Sequence, residues 1–97
     1  MRNAKKELIE ALGENLRVKA ATIDCNNKLC ILKVGYSNHE FKCFLKDLNF
    51  EYDSSYGSQH LYGTVWLENN SWLERGEYDG LEWWDLKELP PIPDCLK

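Results

Sequence analysis

Residues 61–87 restrict the fold more than any other part of the chain. Three short stretches rich in β-branched and aromatic residues, 61–68, 71–78 and 81–87, are separated only by Asn69-Asn70 and Asp79-Gly80. Asn-Asn and Asp-Gly accept the left-handed backbone of tight hairpin turns, so the three stretches read as an antiparallel meander. With two-residue turns, Tyr62, Thr64, Trp66 and Glu68 share one sheet face with Ser71, Leu73, Arg75 and Glu77. Leu61, Gly63, Val65 and Leu67 then share the other with Trp72, Glu74, Gly76 and Tyr78. Trp83 and Trp84 point to opposite faces by the period of two.

The first half completes an α+β plan. Segment 3–13 reads as a helix with Ala4, Leu8, Ile9, Ala11 and Leu12 near one face, Lys5, Lys6, Glu7 and Glu10 away from it, and Gly13 as its stop. Segments 16–25 and 28–36 flank Asn26-Asn27 as a further hairpin. Segment 37–49 carries Phe41, Phe44, Leu45 and Leu48 at i, i+3, i+4 and i+7, one helical stripe. Ser37 and Glu40 stand where a capping box places them. Segment 50–60 reads as a loop, and the proline-bearing tail 88–97 as extended chain over the body. The expected order is α-β-β-α-β-β-β in a single domain, 1–97: a mostly antiparallel sheet of about five strands with two helices on one face.

Charge and composition narrow the functional classes. The net charge of −4 hides an asymmetry: residues 1–49 hold nine Lys/Arg against six Asp/Glu, and residues 50–97 hold three against ten. Bulk electrostatic binding of nucleic acid is excluded by that balance. No run of about twenty apolar residues could span a bilayer, and the N-terminus lacks a signal-peptide pattern, so the cytoplasm is the expected compartment. Cys25, Cys30, Cys43 and Cys95 are then expected as thiols.

Catalytic signatures are missing. His39 and His60 lie in no nucleophile motif, the glycines are scattered, and the carboxylate pairs belong to an acidic half where pairs arise by number alone. Neither an enzyme nor a cofactor is expected. Cys25, Cys30, His39 and Cys43 nominally supply four zinc ligands, but in no common spacing, and buried small hydrophobes are the plainer reading. A zinc-stabilised interaction module is one alternative function.

Rings are the informative feature. Of four tryptophans and five tyrosines, all but Tyr36 lie in residues 50–97. Cross-strand ring pairing that stiffens a small sheet accounts for some of them. The rest point to a contact surface, because Trp, Tyr and Arg dominate binding hot spots. The stretch 51–62 adds the Tyr/Ser/Gly composition of adaptable binding loops. The expected partner-binding set is Tyr52, Asp53, Tyr56, Tyr62, Trp66, Trp72, Glu74, Arg75, Glu77, Tyr78, Asp79 and Trp83. Stacking of single-stranded RNA or nucleotides on the ring-bearing face is the second alternative, opposed by the scarcity of bases there.

The stretches Gly63-Thr64-Val65-Trp66-Leu67, 72–84 (WLERGEYDGLEWW) and Pro91-Ile92-Pro93 resemble small uncharacterised proteins of phages and prophages. The likeness covers the last third of the chain. It implies a mobile-element origin, and with it a small accessory protein that binds and inhibits a host protein, such as a CRISPR or restriction nuclease. The partner expected is a host protein with a basic surface, met in the host cytoplasm without membrane or direct nucleic-acid contact. A homodimer through an exposed sheet edge is a further option.

Overall fold

Residues 2–25, 28–52, 59–78, 81–89 and 93–96 are described by a computed structural model. Along the chain run β1 (Arg2–Asn3), α1 (Ala4–Leu12), β2 (Val18–Cys25), β3 (Lys28–Leu32), α2 (Asn38–Asp47) and β4 (Glu51–Tyr52). The meander follows as β5 (Leu61–Leu67), β6 (Ser71–Tyr78) and β7 (Leu81–Glu88), and a short 3-10 turn closes the tail at Asp94–Leu96. The main sheet has five strands, in the order β3-β2-β5-β6-β7, and every neighbouring pair is antiparallel. This is the α+β architecture read from the sequence, with two small additions: β1 and β4 pair as a separate ribbon, and the tail ends in a turn rather than extended chain.

Local chemistry explains the helices. Asn3 caps α1 by accepting the Lys6 N–H, and Gly13 ends it with a positive φ of 61°. Ser37 and Glu40 form the reciprocal capping box of α2, Ser37 Oγ accepting the Glu40 N–H and Glu40 Oε1 the Ser37 N–H. Ala4, Leu8 and Leu12 of α1 and Phe44 of α2, with Leu48 beyond it, join Ala21, Ile23, Leu32, Leu61, Val65 and Leu73 in one core cluster. Both helices therefore cover the same sheet face. α1 is turned relative to the expected stripe: Glu7 is buried and Ile9 is exposed.

One correction reverses half of the expected facing. Thr64 pairs with Glu74, Val65 with Leu73 and Trp66 with Trp72. The hairpin loop is three residues long, 68–70, with Asn70 in the left-handed region at φ 64°. Three residues instead of two shift β6 by one position, and a one-residue shift sends every side chain to the opposite face. Trp66 and Trp72 thus share the outer face, while Leu73 and Arg75 turn toward the helices. The pairing of Tyr78 with Leu81 matches the expected register, and Trp83 and Trp84 do face opposite ways. The turns at 26–27 and 79–80 lie outside the described residues.

Among the described residues, no helix is long and apolar enough to cross a membrane.

Candidate functional site

The helix-covered face of β6 and β7 holds a charged cluster that the sequence reading did not find. Arg75 and Glu82 side chains are 1% and 0% exposed, although both residues are charged. Arg75 reaches Glu7 of α1 with Nη1 to Oε2 at 2.8 Å and Nη2 to Oε1 at 3.2 Å, a forked pair. Its Nε donates to Glu82 Oε1 at 3.2 Å, and Nη2 donates to the Tyr52 hydroxyl at 2.5 Å. The Tyr52 hydroxyl donates in turn to Glu7 Oε1. Arg2 flanks the cluster, with Nη2 3.6 Å from Glu7 Oε2 and Nη1 donating to the Glu82 carbonyl. The Arg75 guanidinium lies over the Trp84 ring, 5.0 Å from its centroid.

Glu82 also completes the sheet. The β5–β6 ladder ends at Thr64–Glu74, and the backbone N–H groups of His60 and Leu61 donate instead to the Glu82 carboxylate at 2.7 and 2.9 Å. The side chain of a third strand thus satisfies donors that would otherwise be orphaned at a buried strand end. His60 Nδ1 adds a contact to the same carboxylate at 3.3 Å.

The protonation states follow from these partners. Burial pushes the Glu82 carboxyl up, but the N–H groups of His60 and Leu61 and the Arg75 cation outweigh it and hold its pKa below the ordinary carboxylate range. Arg75 is moved the other way by desolvation, yet Glu7 and Tyr52 raise it. Burial, then the hydrogen bond to Glu7, pushes the Tyr52 hydroxyl far up against the smaller pull of Arg75. Glu82, Arg75 and Tyr52 are thus held in their ordinary charge states, and their contacts join α1, β4, β6 and β7. The cluster is a clamp that fixes the meander to the first helix.

On the reverse of the same strands no described element covers the sheet. Tyr62 is 53% exposed, Trp66 45% and Trp83 39%, and Leu29, Ile31, Tyr78 and Leu81 are also exposed. Trp72 is half-buried, its indole N–H donating to Glu74 Oε1 at 2.8 Å. Gly76 explains the seating of Trp83: a Cβ there would come within 2.5 Å of the Trp83 Cε2 and Nε1 atoms, so the indole lies against bare backbone. From β5 to β7 the charged residues on this face are Glu74, Asp85 and Lys87, with Lys87 Nζ 3.4 Å from Asp85 Oδ2.

The expected contact residues therefore divide. Tyr62, Trp66, Trp72, Glu74, Tyr78 and Trp83 gather on or beside the uncovered face. Glu77 is exposed but stands on the helix side, opposite Glu82. Tyr52 and Arg75 are placed elsewhere than expected: Tyr52 and the Arg75 side chain are buried in the clamp, on the helix side of the sheet. Asp53, Tyr56 and Asp79 lie outside the described residues. The zinc series is divided as well. Cys25 and Cys30 are buried, their thiols pushed up by burial, whereas Cys43 is exposed on α2 with Sγ 3.6 Å from His39 Nε2. Among the described residues no three His, Cys, Asp or Glu side chains are grouped to hold a metal ion.

Comparison with protein-family models, curated proteins and solved structures finds no match to this chain.

Proposed function

We propose that this protein is a non-catalytic binding protein that docks on another protein through the uncovered face of its sheet and inhibits it by occupying a functional surface. The observation that carries the reading is the set of rings held out of the core: Tyr62, Trp66 and Trp83 are all more than a third exposed on one face, backed by a rigid five-stranded sheet. An apolar area of this kind, interrupted by carboxylates, is the signature of an interaction site. The occupant is a protein with a basic surface, because on the described part of this face from β5 to β7 Glu74 and Asp85 are set against Lys87, which Asp85 already neutralises. In a phage setting that partner is a host protein, and a defence nuclease with a basic nucleic-acid groove fits the charge. The cytoplasm of the host cell is where the two would meet.

The same balance of charge disfavours the other occupants. RNA would bring phosphates toward carboxylates, and a second copy would set acid against acid.

The test uses Trp66→Ala/Trp83→Ala, whose half-exposed positions leave the core intact, with circular dichroism as the fold control. A host protein captured by the wild type is purified, shown to bind directly with salt-sensitive affinity, and assayed for inhibition. Loss of at least about tenfold in affinity in the double variant is expected. Unchanged affinity in that variant, or binding without inhibition, would overturn the proposal. So would binding by oligonucleotides alone, or a wild-type dimer that the double variant dissociates.

A further inference from the structure

We infer that the centre of the uncovered face is a receptor for an arginine side chain of the partner. The inference rests on the docking reading above and specifies its chemistry. Cross-strand register places Thr64, Glu74 and Asp85 on one rung. The rung on one side carries Trp66, Trp72 and Lys87, and the rung on the other carries Gly76 and Trp83. Same-face rungs stand about 7 Å apart along a strand and neighbouring strands about 4.8 Å apart. Glu74 and Asp85 therefore stand opposite each other on neighbouring strands, between a rung that carries Trp66 and Trp72 and a rung on which the Trp83 indole lies over Gly76.

Like charges directly opposite one another on a sheet are destabilising. A planar cation entering between Glu74 and Asp85 removes that repulsion. Guanidinium fits on three counts: its fork meets carboxylates at two points, its faces stack on indole, and it gives up water more readily than ammonium. Lysine has none of these features beyond charge, and Lys87 already supplies an ammonium to Asp85. The inner face of the same strands shows the chemistry at work: Arg75 lies over Trp84 and reaches two carboxylates, Glu7 of α1 and Glu82 of β7. What the interior does with its own arginine, the outer face is built to do with another's.

The probe is a tetra-arginine peptide, titrated into the full chain while the tryptophan indole N–H signals are followed by NMR, with tetra-lysine as the matched cation. Binding of tetra-arginine is expected to shift the Trp72 and Trp83 signals and to be at least about threefold tighter than that of tetra-lysine. Glu74→Gln/Asp85→Asn, a near-isosteric pair at exposed positions, is expected to remove the preference while leaving the spectrum otherwise folded. Equal response to the two peptides, or a preference that survives in the double variant, overturns the inference. If tetra-arginine fails while a captured partner still depends on Trp66 and Trp83, the arginine receptor falls and the docking face stands.

Discussion

Arg75→Met removes the cation that bridges the two buried carboxylates of the clamp. Glu7 would keep the Tyr52 hydroxyl and a more distant Arg2, and Glu82 would keep two backbone N–H donors. Arg2 is half-exposed and 3.6 Å from Glu7, and the wholly buried Glu82 would be left with those donors and the His60 imidazole at 3.3 Å in place of the guanidinium. Removing one partner of a buried ion pair costs about 3–5 kcal/mol, because a desolvated charge is left behind. A domain of this size has about 5–15 kcal/mol in total, at roughly 0.05–0.15 kcal/mol per residue. Between a fifth and all of the stability is therefore at stake, or roughly 12–40 °C in Tm at about 4–8 °C per kcal/mol. Urea denaturation followed by tryptophan fluorescence measures it. Adding Glu7→Gln and Glu82→Gln to the arginine variant is expected to recover part of the loss, since no charge then remains uncompensated. A single variant within 1 kcal/mol of wild type would refute the clamp as the element holding β6 and β7 to α1.

Acid should act through Glu82: its pKa is lowered in the fold, so its contribution is complete above the unfolded carboxylate value and is lost as pH falls through the folded one. Glu82→Gln should flatten the stability–pH curve in that range. Alkali should act through Tyr52, whose raised pKa means that only the unfolded chain ionises it just above the ordinary value near 10. Stability should then fall by about 1.4 kcal/mol per pH unit, and Tyr52→Phe should remove that component of the slope. Gly76→Ala should push the Trp83 indole off the sheet, visible as a changed fluorescence maximum and a loss of about 1–3 kcal/mol in denaturation. Ser37→Ala removes one half of the capping box of α2 and should cost about 1 kcal/mol in the same assay.

The sequence was most legible where a single local rule acts. The capping box at Ser37 and Glu40 and the stripe of Phe41, Phe44, Leu45 and Leu48 identified α2 among segments that resemble strands. The strands emerged from their flanking turn residues. What misled was loop length: Asn69-Asn70 looks like a two-residue turn, and nothing local says that Glu68 joins it. The clamp was hidden for a different reason. Glu7 belongs to α1, Tyr52 to β4, Arg75 to β6 and Glu82 to β7, so four polar residues far apart in the chain become buried only because they meet. Leu73 and Arg75 are two apart, and an inward Leu73 implies an inward Arg75, but that signal becomes usable only with the correct register.

Loop 68–70 has a consequence for how this protein can vary. Its odd length keeps Trp66 with Trp72 on the outside and Arg75 with Leu73 on the inside. Deleting or inserting one amino acid there would flip β6 against β5, presenting the Arg75 guanidinium to solvent and wedging the Trp72 indole beneath the helices. Length changes in pairs would preserve both faces. Descendants of this gene should accordingly tolerate codon gains and losses at that hairpin in twos and eliminate them singly, a parity that surface exposure of the loop alone would never impose.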